Sequence, residues 1–170
     1  MTTESVVPEV HHAWAIYMRA SEEARRRGDR RTGTDHLLLA LLEDASIEVV
    51  LGVSLKEARQ ALEWLDQEAL GALGMRSGTD APTLPMRAVP KKPTFRAVAK
   101  RDRLRMTPAA KKVLEDAVNP NRRKTQVTAE QVLAQILTLR PPDPAAVLLG
   151  ALGVNTSEVR RRLDAVTPDS

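Results

Sequence analysis

The sequence predicts an all-α protein of about eight helices, arranged as two related four-helix units joined by a long linker. A local repeat is the first observation: LGVSLKEARQAL at Leu51–Leu62 returns as LGVNTSEVRRRL at Leu152–Leu163, with six of twelve positions identical. Two copies of one design indicate a duplicated structural unit. The second observation is that aromatic residues make up only 2% of the chain. The core must therefore be aliphatic, a composition that favours helices over strands.

The first two helices are predicted from apolar periodicity. Within Val10–Arg27 the apolar residues recur at steps of three and four, which is typical of an amphipathic helix, and Gly28 is suited to end it. Thr34 is the predicted N-cap of the next helix. The stretch Leu37–Leu42 is apolar on every side, so this second helix is expected at the centre of the fold.

The third and fourth helices are predicted on either side of the repeated Leu-Gly-Val turn. A short third helix is predicted at Ile47–Leu51. Ser54 and Glu57 form a capping box that starts the fourth helix, and Asn155 and Glu158 hold the equivalent positions in the second copy. Each copy therefore uses Leu-Gly-Val as a turn into a capped helix.

The second unit repeats this order of helices. Thr107 is a predicted N-cap, followed by a proline at the first helical position. Thr128 and Gln131 form another capping box before the partner of the central helix. Ala145–Leu152 is the predicted third helix of this unit.

The region between the units has four prolines and no sustained period, so we predict a flexible basic linker there. The predicted boundaries are an N-terminal tail at 1–9, the first repeat at 10–73, the linker at 74–104, the second repeat at 105–166 and a C-terminal tail at 167–170.

Composition excludes several classes of function. The chain has no cysteine and three histidines, so neither a disulfide, a thiolate nor a structural zinc site is expected. The longest run of apolar residues and glycine, Ala145–Val154, is about half of the ~20 residues that a spanning helix needs. The N-terminus lacks the pattern of a secretory signal. A cytoplasmic protein without membrane contact is expected.

Charge leaves a second hypothesis open. Residues 91–124 carry twelve Lys or Arg against three Asp or Glu, so the basic excess is local. A nucleic-acid-associated regulator that uses the basic linker is the alternative to a protein-binding module. Against it, the segment has one aromatic residue, Phe95, and no base-reading module. Sequence-specific recognition of nucleic acid is not indicated.

Three motifs in order carry a resemblance to a known family. The chain resembles the Clp N-terminal repeat of ClpC- and ClpA-type unfoldases in the motifs ARRRGDRRTGTDHLLLALL, LGVSLKEAR and MTPAAKKVLE. The resemblance implies an all-α, pseudo-twofold pair of four-helix repeats that receives clients and adaptors. It implies Clp unfoldase or protease components, or their protein clients, as partners. The chain would be such a module without the ATPase motor.

The resemblance also implies two sets of binding residues. The resemblance assigns Thr34 and the acidic residues Asp35 and Glu130 to a site of the type that recognises phosphoarginine in ClpC-type relatives. When the strings are aligned on Thr34 and Thr128, Glu130 is displaced by one residue and the histidine is lost. A second surface, which binds cyclic-peptide antibiotics in some relatives, keeps Lys111 and Glu115 and has Met106 in place of the usual Phe.

No catalytic residue, cofactor or metal ligand is predicted. Gly28 opens a segment with the Gly-x4-Gly spacing of a phosphate loop, but a threonine replaces the required lysine and the segment joins two helices. His36 is expected to pack at a helix start, since it lacks a partner acid or base. Trp14 and Trp64 fall on apolar stripes and are expected in the core or at its edge.

Overall fold

The computed structural model describes residues 10–74, 104–118 and 126–166, and this part of the chain is mostly helical, as predicted. Eight helices lie in these ranges: α1 Ala13–Arg27, α2 Thr34–Leu41, α3 Ala45–Leu51, α4 Leu55–Ala72, α5 Pro108–Ala117, α6 Ala129–Ile136, α7 Pro144–Ala151 and α8 Thr156–Val166. The sequence pattern did not predict four short strands: β1 Val10–His12, β2 Arg31–Thr32, β3 Arg105–Met106 and β4 Gln126–Thr128.

The strands join the two repeats reciprocally. The strand before the first helix of each repeat pairs with the strand before the second helix of the other repeat, so β1 pairs with β4 and β3 with β2. The two pairs differ in direction, since β1–β4 is antiparallel and β2–β3 is parallel. The exchange is therefore reciprocal in which strands pair, but the two strand pairs are not geometrically equivalent.

Helix α2 is the centre of the core, as its uninterrupted apolar stretch predicted. Every side chain of Leu37–Leu42 is at most 2% exposed. The helix packs against α1 of its own repeat and against α5, α6 and α7 of the other. Burying a leucine of this kind contributes about 2 kcal/mol, so α2 is the main apolar link between the repeats.

The two Leu-Gly-Val turns meet face to face. Gly52 and Gly153 adopt φ angles of +69° and +67°, a conformation that other residues rarely adopt. Both turns line one cavity of about 210 Å³, and the guanidinium of Arg162 lies 3.5 Å from the carbonyl oxygen of Val50 across it. The repeated stretch therefore forms equivalent turns at the junction between the repeats.

Helix starts follow the predicted caps with one exception. Capping boxes begin α4 at Ser54 and α6 at Thr128, and Thr107 caps α5. The prediction for Thr34 was wrong, because the N-cap of α2 is Gly33 and Thr34 is the first helical residue. The Thr34 hydroxyl instead donates a hydrogen bond of 2.7 Å to Asp143, the N-cap of α7.

The predicted linker and tails lie mostly outside the described residues, as does the segment 119–125, so their boundaries stay predictions. Within the ranges given above, no helix combines the length and apolarity needed to cross a membrane. The same ranges contain no group of three His, Asp or Glu side chains placed to hold a metal ion.

Candidate functional site

An apolar groove lies between α1, β3 and α5. Its volume is about 430 Å³, and its lining residues are Ala13, Trp14, Tyr17, Met106, Lys111, Leu114, Glu115 and Val118. The three residues that the resemblance assigned to a peptide surface, Met106, Lys111 and Glu115, therefore line one groove. The aromatic wall of the groove was not predicted as part of this surface.

Trp14 forms that wall from the first turn of α1. Its side chain is 48% exposed, and its ring lies 5.3 Å from the ring of Tyr17 at an angle of 56°. The Tyr17 hydroxyl donates a 2.6 Å hydrogen bond to the carbonyl of Leu104, which ties α1 to the residue before β3. Trp14 thus lies at the edge of the core with a large apolar face open to solvent, an arrangement typical of binding surfaces.

The polar rim of the groove is a salt bridge on α5. Lys111 Nζ lies 3.3 Å from Glu115 Oε1, and both side chains are more than 60% exposed. An i,i+4 pair of this kind contributes about 0.3–0.5 kcal/mol, so a ligand could exchange either partner at little cost. The groove therefore offers an apolar floor beside one positive and one negative group.

Asp35 is a nearly buried carboxylate in the first turn of α2. The residue is 6% exposed, and its Oδ2 accepts a 3.0 Å hydrogen bond from Nη1 of Arg27. Burial alone would raise the pKa of Asp35, but the backbone N–H of His36 and the charge of Arg27 favour the carboxylate, and the pKa is lowered. Asp35 is therefore a charged group that already binds a guanidinium.

Arg27 is held by three carboxylates from different parts of the first repeat. Besides Asp35, its Nη2 lies 2.6 Å from Asp66 on α4 and its Nη1 lies 3.3 Å from Asp29. Burial would lower the pKa of Arg27, but Asp66, Asp29 and Asp35 raise it. No local sequence pattern indicates this arrangement, because Asp66 lies 39 residues from Arg27.

His36 has a structural role at the start of α2. Its Nδ1 accepts a hydrogen bond of 3.0 Å from the backbone N–H of Gly33. Nε2 then carries the proton and donates to Asp29 Oδ2 at 2.9 Å. His36 therefore replaces the glutamate of a capping box and fixes the loop that carries Asp29.

Thr34 was predicted to belong to the phosphoarginine site with Asp35 and Glu130. In the structure its side chain contacts the other repeat. It is 1% exposed, and besides its bond to Asp143 it lies 3.4 Å from the backbone nitrogen of Ala145. Its hydroxyl helps to position α7 against α2. The structure thus assigns Thr34 a contact inside the molecule.

Glu130 occupies the same helix position as Asp35. Both are the second residue after the N-cap, of α6 and α2 respectively. Gln131 corresponds to His36, since its Oε1 accepts a 3.0 Å hydrogen bond from the N-cap backbone of Thr128. Alignment on the N-caps, in place of the threonines, would have revealed this equivalence. Glu130 Oε2 is buried and has no hydrogen-bond partner among the residues that the structure describes.

The comparisons with known proteins agree with this architecture. The family model described as Clp repeat (R) N-terminal domain matches residues 10–140, which is more than three quarters of the chain. The matched range contains the apolar groove, Asp35 and Glu130. A search of curated proteins found no match.

Proposed function

The chain belongs to the Clp repeat (R) N-terminal domain family, and from that premise we propose that it is a non-enzymatic protein- and peptide-binding module acting as an adaptor, modulator or decoy. Its partners would be Clp motor subunits, client proteins or cyclic-peptide antibiotics. Family membership supports a protein-interaction module of the Clp system. The specific role and partners are the proposed part.

The apolar groove is the observation that carries this proposal. It combines an aromatic wall at Trp14 and Tyr17, the apolar side chains of Met106 and Leu114, and an exposed polar rim. Protein-binding sites commonly have such an apolar centre and polar edge, with tryptophan and tyrosine supplying much of the contact energy. A hydrophobic segment of a client or a cyclic peptide has the complementary chemistry.

Asp35 supports a second part of the proposal, a site for phosphoarginine-marked clients. Its carboxylate pairs with the guanidinium of Arg27, so the same carboxylate suits the guanidinium group of phosphoarginine. Glu130 is proposed as the equivalent acidic group of the second repeat, because it has the same helix position and an unpaired buried oxygen.

A binding experiment with purified components tests the proposal. The immobilised protein would be offered a ClpC-type unfoldase and, separately, a phosphoarginine-bearing protein, with the Asp35→Ala variant beside it. We expect capture of at least one partner, and we expect the variant to lose the phosphoarginine-bearing one. Failure to capture either at tens of micromolar would contradict the proposal.

A second binding experiment, with added nucleic acid and increasing salt, distinguishes the protein-binding module from the nucleic-acid alternative. A regulator that uses the basic linker would bind nucleic acid with an affinity that falls steeply as salt is added. That affinity would disappear when residues 78–103 are deleted. Protein binding that resists salt and survives the deletion supports the groove.

A further inference from the structure

Arg27 occupies the carboxylate that the proposed function assigns to a ligand. In the structure its guanidinium lies 3.0 Å from Asp35 Oδ2, and Asp35 is 6% exposed, so Arg27 occupies the oxygen that a ligand guanidinium would need. The Arg27 side chain is 23% exposed, so one side of it faces solvent. Any ligand guanidinium must therefore compete with an arginine that belongs to the protein itself.

The free-energy cost of displacing Arg27 depends on whether the ligand carries an anionic group that can pair with it. An unmodified arginine would take Asp35 and place a second positive charge beside Arg27, which would keep only Asp66 and Asp29. A phosphorylated arginine brings its own dianionic group, to which the displaced Arg27 can bind while the ligand guanidinium takes Asp35. Only the phosphorylated ligand supplies Arg27 with a new anion in place of Asp35.

Arg27 also lines a cavity, and Asp35 lies outside its lining. It has a volume of about 300 Å³, and its charged lining residues are Glu23, Arg26, Arg27, Arg59, Glu63 and Asp66. Arg59 is engaged by the buried carboxylate of Glu23, and Arg26 Nη1 lies 3.9 Å from the same residue. Arg27 is thus the cation of this cavity that contacts Asp35.

We propose that Arg27 is a specificity-determining residue, an internal competitor for the Asp35 carboxylate that favours phosphoarginine over unmodified arginine. The inference rests on the proposed phosphoarginine site. The discrimination arises from repulsion, since the positive charge of Arg27 disfavours unmodified arginine, which has no anionic group to bind it.

Calorimetric titration of the full chain with Nω-phospho-L-arginine and with L-arginine tests this proposal. We expect the wild-type protein to prefer the phosphorylated amino acid by about tenfold or more. Arg27→Met, which keeps the aliphatic length without the charge, should bind L-arginine more tightly and phosphoarginine more weakly. Arg26→Met is the matched control and should keep the wild-type ratio.

The outcomes separate the inference from the proposed function. An unchanged ratio in Arg27→Met, or an equal loss for both ligands, would overturn the role of Arg27. If the wild-type protein binds neither ligand, the phosphoarginine part of the proposed function fails. Gain of L-arginine binding by Arg27→Met would then still support Arg27 as the competitor, and the absence of that gain would overturn both. Circular dichroism of each variant establishes that it is folded.

Discussion

Gly33 has an ordinary backbone φ of −95°, so its identity is set by space and not by conformation. A Cβ atom at this position would overlap Asp35 Oδ1, and Nδ1 of His36 would lie 3.5 Å away. The missing side chain therefore allows the Asp35 carboxylate to fold back over the start of α2. The position of the Asp35 carboxylate therefore depends on this glycine.

Replacement of Gly33 by alanine should displace the Asp35 carboxylate and weaken its pairing with Arg27. We expect the free energy of unfolding to fall by about 1–2 kcal/mol, measured by chemical denaturation. Gly150 in α7 is the matched control, because a Cβ there would meet nothing within 4 Å. Gly150→Ala should stabilise the protein by about 0.5–1 kcal/mol through helix propensity. Equal effects of the two substitutions would contradict the steric argument.

The lowered pKa of Asp35 predicts how stability depends on pH. Because the pKa of Asp35 in the folded state lies below its ordinary value, the stabilisation is present above the ordinary pKa and is lost as pH falls through the folded-state pKa. Asp35→Asn should therefore be less stable than wild type at neutral pH, and the difference should shrink in acid. Denaturation curves of both proteins from pH 7 down to about 3 check this. A difference that does not change with pH would contradict it.

At the scale of the elements, the joint between α1 and α4 contains a partly buried ion pair. Glu23 has a 6% exposed side chain and accepts two hydrogen bonds from Arg59, from Nε at 3.1 Å and from Nη2. Removal of the guanidinium would leave the carboxylate with only the more distant Arg26. A buried charge without its partner is strongly destabilising.

Arg59→Met should lower the free energy of unfolding by about 2 kcal/mol, a value reduced from that of a fully buried pair because Arg59 is 29% exposed. Addition of Glu23→Leu should recover part of the loss in a double-mutant cycle. Lys112→Met is the control, since its partner Asp116 on α5 is exposed and the change should stay within about 0.5 kcal/mol. A double variant no more stable than Arg59→Met would refute the assignment.

Contacts between residues close in sequence were predictable, whereas contacts between distant elements were not. Capping boxes at Ser54 and Thr128 were predictable because each is formed by residues three positions apart. The role of Thr34 was not, since its partner Asp143 lies 109 residues away. For the same reason Trp14 could not be assigned to the surface of Met106. Their proximity depends on how α1 packs beside β3, which no local pattern encodes.

At the scale of the molecule, the two repeats are joined by exchanged strands, by the burial of α2 and by the facing Leu-Gly-Val turns. The duplication was visible in the sequence, and the resemblance implied the pseudo-twofold arrangement. The groove arises at the junction, because its walls come from α1 of one repeat and α5 of the other. A binding surface of this kind requires both repeats to be folded together.

The most direct test of a binding role for the groove is the ¹⁹F spectrum of the protein labelled with 5-fluorotryptophan. The chain has two tryptophans, and the variant Trp64→Phe assigns their two signals. Trp14 lines the groove, while Trp64 is 56% exposed on α4 and serves as the internal control. On titration with unfolded α-casein as a client, the account predicts that the Trp14 signal shifts or broadens to saturation while the Trp64 signal changes little. An unchanged Trp14 signal, or an equal response from both tryptophans, would contradict it.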